Sequence, residues 1–111
     1  MGYVHKKVVG VDVIELDDSV DLYSVPELKK FCKELLKRES KRIVINMEKL
    51  TFIDSSGLGM LVNLAHECRQ TEVGLKLASM SPEAERTFNL TKMQSNFEIF
   101  GTVNEAIRSF G

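Results

Sequence analysis

The sequence contains few of the residues that bind metals or act as nucleophiles. Only two of its 111 residues are cysteines, Cys32 and Cys68, and only two are histidines, His5 and His66. The cysteines form no C-x-x-C pair, which excludes the common zinc and dithiol motifs, and no metal-binding constellation is visible. Both cysteines occupy apolar positions of helical patterns, where cysteine usually behaves as a small buried hydrophobic residue. We therefore predict neither a metal nor another cofactor.

A charge excess and a long apolar run are also missing. Fifteen basic and sixteen acidic residues give a formal net charge of −1, whereas nucleic-acid-binding domains usually show a basic excess. No apolar run approaches the roughly 20 residues that a membrane-spanning helix needs. The N-terminal MGYVHKKVVG also lacks the apolar core of a signal peptide. We expect one cytoplasmic domain over residues 1–111 that binds neither nucleic acid nor membrane.

Strand and helix patterns alternate along most of the chain. The alternation from residue 42 onward is typical of βαβ units, and residues 3–9 and 11–16 predict a hairpin. The sequence therefore predicts an α/β fold, a single domain with a mixed, mostly parallel sheet of four to five strands, an N-terminal antiparallel hairpin strand and about four helices. The other predicted elements are strands at 42–46, 74–79 and 96–100, a connector at 47–53, and helices after Ser24, at 55–70, after Ser81 and after Thr102.

Three of these helices begin with recognisable capping residues. Ser24 and Glu27 match the S-x-x-E form of a capping box, and Thr102 and Glu105 match its threonine form. In this motif the two side chains satisfy backbone N–H groups that the helix leaves without partners. Ser81 is the predicted N-cap of the helix between them, because a proline follows it at the first helical position.

The segment TFIDSSGLGM at 51–60 places two serines and two glycines at a predicted helix start. Asp54 is the predicted N-cap, and Ser55, Ser56 and Gly57 are then the first three helical positions. Gly57 and Gly59 each cost about 1 kcal/mol relative to alanine inside a helix, so something must offset them. Glycine permits close approach, either of the helix to its own sheet or of another molecule to this turn.

The residues around this start indicate which face of the helix meets the sheet. Ile53 and Leu58 are placed as a hydrophobic staple on either side of the cap. An outward Met60 beside Leu64 has two interpretations: it is core against a neighbouring element, or it is a contact patch for a partner. The predicted sheet-facing residues are Leu58, Leu61, Val62, Ala65 and Cys68, and the predicted outward residues are Met60, Asn63, Leu64 and Glu67.

The helix start suits a modifiable serine better than a catalytic one. A helix N-terminus presents free N–H groups and a partial positive charge, so a phosphate on an exposed serine there adds about −1.5 to −2 charges without melting the helix. The segment lacks the lysine of a Walker A loop and the leading glycine of a nucleophile elbow. His66 would lie about 15 Å along the helix from Ser55, too far for a proton relay. His5 and His66 are expected to be incidental surface residues.

At this segment the sequence resembles a known family. IVINMEKLTFIDSSGLGMLVNL is similar to the signature of the STAS domain of bacterial anti-sigma-factor antagonists, and the resemblance covers nearly the full length. It implies a regulatory protein without enzymatic activity, which binds an anti-sigma factor with serine-protein kinase activity and releases it when phosphorylated. The implied acceptor is Ser55, with Ser56 as the alternative. A PP2C-type phosphatase would act on the phosphorylated form.

The resemblance also implies which residues contact the partner. Asp21 matches an aspartate of the family's early acidic turn, whereas Asp18 stands where a glycine is common. Asp54 would orient the loop, and the two glycines of the helix start would permit close docking. The implied partner-binding residues are Asp21, Asp54, Ser55, Ser56, Gly57, Gly59, Met60 and Asn63.

Two other functional classes stay open at this point. A STAS subunit can sense a small molecule, or control an output other than a sigma factor, such as transport, secretion or motility. The phosphorylatable hydroxyl at the helix start favours partner switching over these functions. An enzyme is disfavoured, because the serines have no acid–base partner.

Overall fold

The computed structural model describes residues 2–111. The chain folds in the order β1 (Gly2–Val8), β2 (Val11–Val20), α1 (Val25–Lys37), β3 (Arg42–Asn46), β4 (Leu50–Ile53), α2 (Ser55–Gln70), β5 (Gly74–Ala78), α3 (Pro82–Thr91), a 3-10 turn (Met93–Asn96), β6 (Glu98–Phe100) and α4 (Val103–Arg108). Strands β2, β3, β5 and β6 are neighbours in that order and run parallel, and β1 pairs antiparallel with β2. The short β4 pairs in parallel with the end of β2, beyond the part that β3 contacts. No helix within residues 2–111 is long and apolar enough to cross a bilayer.

Alternating side chains divide the core between the two faces of the sheet. Along β2, Ile14 and Leu16 pack with apolar residues of α1, α2 and α3. Val11 and Val13 point the opposite way and pack with Ala106 of α4. This is the period of two that a strand imposes on its side chains. The central strand β3 supplies buried side chains to both faces, as its β-branched sequence predicts.

The structure confirms the α/β fold, the antiparallel hairpin strand, the mostly parallel sheet and the four helices. The predicted count of four to five strands is wrong, because residues 2–111 form a six-stranded sheet. The prediction of a connector at 47–53 is wrong, because this segment contains β4, whose buried–exposed–exposed–buried pattern lacks the alternation that marks a strand. Strand β2 also continues to Val20, four residues past its predicted end, where it pairs with β4.

The extension of β2 contains a backbone irregularity at Asp18. The register of β2 against β4 shifts between Asp18 and Ser19, and Asp18 has a φ of 56°. This is the left-handed region that glycine adopts freely and that aspartate tolerates better than most residues. A glycine, as the family that the sequence resembles commonly has here, would adopt this conformation without strain. This chain meets the same requirement with an aspartate.

The predicted capping box of α1 is wrong. Ser24 has helical backbone angles and makes no side-chain cap, because its hydroxyl points back into the preceding turn. It accepts a hydrogen bond from the Asp21 N–H at 2.9 Å and donates one to the Ser19 carbonyl at 3.2 Å. The caps at Ser81 and Thr102 are confirmed, the second as a complete capping box with Glu105.

A buried carboxylate joins the hairpin to the connection between α1 and β3. Asp12 on β2 accepts hydrogen bonds from the Ser40 hydroxyl at 2.5 Å and from His5 Nε2 at 2.8 Å. Burial raises the pKa of the Asp12 carboxyl, but the hydrogen bonds from Ser40 and His5, with the charge of Lys7, outweigh burial, so this pKa lies below its ordinary value. The expectation that His5 is an incidental surface residue is therefore wrong, whereas His66 is exposed.

Replacing Asp12 with asparagine should flatten the acid side of the stability curve. A carboxyl whose pKa is lower in the folded than in the unfolded chain contributes stability that is complete above the unfolded pKa, about 4, and is lost as pH falls through the folded pKa. The free energy of unfolding, measured by urea titration from neutral pH to about pH 3, should therefore fall more steeply for the wild type than for Asp12→Asn. Equal slopes would contradict this role of Asp12.

Candidate functional site

Helix α2 begins where the sequence predicts, with Asp54 as its N-cap. The Asp54 Oδ1 atom accepts a hydrogen bond from the Gly57 N–H at 3.0 Å, and the Asp54 carbonyl accepts one from the Leu58 N–H at 2.9 Å. The predicted staple residues, Ile53 and Leu58, are both buried in the main core. The helix start is thus fixed by a side-chain cap and by apolar burial on both sides of it.

Ser55 is the first residue of α2, and its side chain is exposed, whereas Ser56 is partly buried. Neither hydroxyl makes a hydrogen bond within residues 2–111. Because Asp54 accepts from the Gly57 N–H, the backbone N–H groups of Ser55 and Ser56 are the ones left without an intrahelical acceptor at this end. The tip of α2 therefore carries the exposed Ser55 hydroxyl beside unpaired donors, in the field of a helix N-terminus.

The two glycines of the helix start have different surroundings. A Cβ added to Gly57 would lie 2.5 Å from the Val20 carbonyl oxygen and 2.8 Å from Ile53 Cγ1, so the fold requires a glycine there. Gly57 is buried, and its role is the close packing of α2 on the end of β2, rather than the docking predicted for it. A Cβ added to Gly59 would meet no atom within 4 Å, and Gly59 is exposed. Nothing in the described chain requires a glycine at position 59.

The Asp54 carboxylate also links α2 to the turn between β2 and α1. Its Oδ2 atom accepts a hydrogen bond from the Leu22 N–H at 3.2 Å, while Oδ1 holds the helix start. The Asp54 N–H in turn donates to the Val20 carbonyl at 3.3 Å. One residue therefore fixes the spacing between the serine at the helix tip and the neighbouring turn.

Asp21, predicted to contact a partner, uses its carboxylate inside this turn. Oδ1 accepts hydrogen bonds from the Tyr23 and Ser24 N–H groups at 3.0 and 3.1 Å, and Oδ2 accepts one from the Ser19 hydroxyl at 3.2 Å. These bonds, led by the one from the Ser24 backbone, lower the pKa of the Asp21 carboxyl. Asp21 thus shapes the turn and stays ionised beside the helix tip.

Two large apolar side chains beside the site were not identified from the sequence. Leu22 is 64% exposed and Tyr23 is 87% exposed, and both lie on the turn that Asp54 contacts. Turn residues are usually small or polar, each for a stated conformational reason. The sequence offered one signal for them: two neighbouring apolar residues between Asp21 and Ser24 that belong to no helical or strand pattern.

The interpretation of Met60 as part of an outward contact patch is wrong. Met60 and Leu64 are 6% and 3% exposed and belong to the main core. Both lie at the contact between α2 and α1, where they border a small gap together with Cys32. A second helix covers this face, so the core interpretation holds. Asn63 is exposed on the same helix and stays accessible to a partner.

Other possible sites share nothing with the helix tip. A cavity of about 650 Å³ lies between the hairpin and the start of α4, and none of its lining residues comes from α2 or from the β2–α1 turn. Within residues 2–111 no group of histidine, cysteine, aspartate and glutamate side chains is arranged to hold a metal ion. Within the described chain, the D-S-S-G-L-G motif forms one site. It consists of the exposed serine and unpaired backbone donors at the start of α2, together with the β2–α1 turn.

The family of the protein follows from its whole length together with this motif. Residues 3–106 match the family model of the STAS domain. The chain belongs to the STAS domain family. The resemblance drawn from the D-S-S-G-L-G segment is therefore confirmed, and the STAS domain spans both α2 and the β2–α1 turn.

Relatives of this STAS domain include anti-sigma factor antagonists. The anti-sigma-B factor antagonist of Staphylococcus aureus (strain NCTC 8325 / PS 47) is 26% identical over 81 residues, 73% of this chain and 75% of that protein. A putative anti-sigma factor antagonist from Thermotoga maritima superposes with a TM-score of 0.89 at 23% identity, covering 96% of this chain and 92% of that chain. The phosphorylated form of the Bacillus cell fate determinant SpoIIAA has a TM-score of 0.77 at 22% identity, covering 99% of this chain and 100% of that chain. Both structures share the fold of this STAS domain.

Alanine at the two glycines of α2 should have opposite effects on stability. Gly57→Ala places a Cβ against a backbone carbonyl and should lower the free energy of unfolding by about 2 kcal/mol. Gly59→Ala places a methyl group in open space and removes the helix penalty of glycine, so it should raise the free energy of unfolding by about 1 kcal/mol, or Tm by about 4 °C. Urea and thermal denaturation followed by circular dichroism measure both. A Gly57→Ala variant as stable as the wild type would contradict the close packing of α2 on β2.

Proposed function

We propose that this STAS protein is an anti-sigma-factor antagonist that works by partner switching. In the unphosphorylated form it binds an anti-sigma factor with serine-protein kinase activity, and phosphorylation of Ser55 releases that partner. A PP2C-type phosphatase restores the binding form. The chain itself acts in the cytoplasm as a non-catalytic single domain that supplies the phosphate acceptor and the docking surface. Ser56 is the alternative acceptor.

The observation that carries the proposal is the exposed Ser55 hydroxyl at the first position of α2. A kinase must reach the hydroxyl, and the hydroxyl must be free of internal hydrogen bonds that modification would break. Ser55 meets both conditions in the described chain, whereas Ser56 is partly buried. A phosphate at this position can accept from the unpaired N–H groups of the first turn and interacts favourably with the helix dipole, so the fold tolerates it.

Gly59 supports a protein partner at the same site. Glycine within a helix costs about 1 kcal/mol relative to alanine, and a Cβ at this position would meet nothing in this chain. Glycine's remaining physical advantage is the close approach of another molecule to the helix backbone. Gly59 follows Ser55 by four residues, so both lie on one face of α2 one turn apart.

Release follows from the size and charge of the phosphate at a close contact. A phosphoserine carries about −1.5 to −2 charges and is strongly hydrated, so burying it against a partner requires new donors for its oxygens. The Asp54 carboxylate stands next to Ser55 in the chain and already accepts two hydrogen bonds on this side. It offers the phosphate no donor, and the added atoms with their hydration shell hold a partner away from α2.

The kinase reaction and three variants at position 55 test the proposal. Incubation with the purified cognate anti-sigma factor and ATP should add one phosphate at Ser55, mapped by mass spectrometry. Ser55→Ala should keep binding and lose modification. Ser55→Asp should weaken binding by about 100-fold or more, which corresponds to about 2.7 kcal/mol. Isothermal titration calorimetry measures the affinity. Ser55→Thr is the matched control, because it keeps a phosphorylatable hydroxyl.

The thermal stability of Ser55→Asp shows whether Ser55 acts as a switch or is needed for the fold. Because the Ser55 side chain is exposed and makes no internal hydrogen bond within the described residues, Ser55→Asp should melt within about 2 °C of the wild type. Phosphate found only at residues other than Ser55 and Ser56 refutes the assigned acceptor. An unfolded Ser55→Asp variant, or one that binds the anti-sigma factor as tightly as the wild type, refutes the switch.

Gly59→Ala should separate folding from binding. The variant is expected to be more stable than the wild type, because no atom of the chain opposes the added methyl group. It should nevertheless bind the anti-sigma factor about 10-fold more weakly, since the methyl group keeps the partner from the helix backbone. Met60→Leu, at a buried position next to it, is the control that should leave affinity unchanged. Unchanged affinity in Gly59→Ala would exclude a close contact at this turn.

A further inference from the structure

The turn between β2 and α1 displays two apolar side chains that the fold does not use. Tyr23 is 87% exposed and Leu22 is 64% exposed, and they are adjacent in sequence. Scattered single apolar residues on a surface need no explanation, but a neighbouring pair at a candidate site does. Neither residue belongs to a core cluster, so neither contributes to the packing of the core.

The turn that carries these side chains is rigidly held. The Asp21 carboxylate accepts from the N–H groups of Tyr23 and Ser24, and the Ser24 hydroxyl accepts from the Asp21 N–H at 2.9 Å. The Leu22 N–H is itself bonded to Asp54. A partner that receives Leu22 and Tyr23 would therefore pay little conformational entropy to order their backbone, which is the benefit of preorganisation.

The same bond to Asp54 places the pair beside the proposed phosphorylation site. Asp54 is the N-cap of α2 and precedes Ser55 in the chain, and its Oδ2 atom lies 3.2 Å from the Leu22 nitrogen. A protein that contacts the tip of α2 closely enough to use Gly59 therefore also reaches this turn. Tyrosine is one of the residues that most often dominate binding energy at such interfaces, because it buries a large apolar ring with few rotatable bonds.

The turn that carries the pair holds two carboxylates, that of Asp21 within it and that of Asp54, which accepts from the Leu22 N–H. Residues 17–28 contain three aspartates and one glutamate, and no lysine or arginine. Residues 50–65 contain Asp54 as their only charged side chain. The Asp21 carboxyl has a lowered pKa, so its charge persists well below neutral pH. A surface that matches this turn must be apolar at its centre and basic at its edge, since complementary charge steers association and fixes register.

We infer that Leu22 and Tyr23 are the apolar anchors of the docking surface, and that the anti-sigma factor receives them in an apolar pocket with a basic rim. This inference rests on the proposed function and identifies the chemistry of its partner. Ser55 and Gly59 then form the part of the surface that the phosphate blocks. The two anchors form the apolar part of the surface.

Alanine substitution at the anchors tests the inference. Tyr23→Ala should weaken binding of the purified cognate anti-sigma factor by about 30-fold or more and Leu22→Ala by about 10-fold, as expected for buried anchors. Tyr23→Phe should bind within about 3-fold of the wild type, because the ring supplies the contact. All three variants should keep the melting temperature of the wild type, since both side chains are exposed.

Leu90→Ala is the matched control. Leu90 is 78% exposed on the last turn of α3. That helix leads from the carboxyl end of β5 back to the amino end of the parallel strand β6, so its last turn lies at the opposite end of the sheet from the β2–α1 turn. This variant should bind like the wild type. Salt tests the rim: raising NaCl from about 0.05 M to about 0.3 M should weaken binding several-fold, because added salt screens exposed charges.

The outcomes separate this inference from the proposed function. If Ser55→Asp abolishes binding while Tyr23→Ala and Leu22→Ala bind like Leu90→Ala, the anchors are refuted and the switch stands. If binding is insensitive to salt, the basic rim is refuted. If the wild-type protein binds no anti-sigma factor, the proposed function fails and the inference fails with it.

Discussion

The geometry of the site depends on the carboxylate of Asp54. One oxygen caps α2 through Gly57, the other accepts from the N–H of Leu22, and the Asp54 N–H donates to the Val20 carbonyl. These three bonds tie the start of a helix, the end of a strand and a turn to a single residue. Two of these bonds are accepted by a carboxylate, and hydrogen bonds to an ionised acceptor are stronger than neutral ones. Ser55 at the helix start and the β2–α1 turn are both positioned relative to it.

Close packing at Gly57 explains why the junction is possible. The Val20 carbonyl oxygen would be 2.5 Å from a Cβ at position 57, so only a glycine lets α2 approach β2 this closely. The approach brings Asp54 within hydrogen-bonding distance of the turn that follows β2. The helix penalty of Gly57 is thus offset inside the fold. The penalty of Gly59 has no such compensation in the described chain. Gly57 is therefore explained by packing within the fold, whereas Gly59 is not.

Local sequence patterns predicted the elements that a few neighbouring residues determine. They failed for elements and side chains whose structure depends on contacts with distant parts of the chain. Strand β3, helix α2 and the caps at Asp54 and Thr102 follow from a few consecutive residues. Strand β4 exists because it pairs with an extension of β2, and both carry weak strand signals. Met60 is buried because α1 lies across it. Leu22 and Tyr23 in the β2–α1 turn belong to no periodic pattern, so the sequence alone did not point to them. Their position next to the α2 start becomes visible only in the structure, through the bond from the Leu22 N–H to Asp54.

The proposed division of the site into anchors and a switch would resolve a conflict of charge. A partner with a basic rim would attract a phosphate through space, and on charge alone phosphorylation would then strengthen binding. The unpaired N–H groups at the tip of α2 already offer the phosphate donors within its own chain, so it gains little from those of a partner. Its volume and hydration, however, oppose the close contact that an exposed helix glycine permits. In the proposed switch, sterics at the helix tip would therefore outweigh attraction at the rim, and release would need no change in the fold.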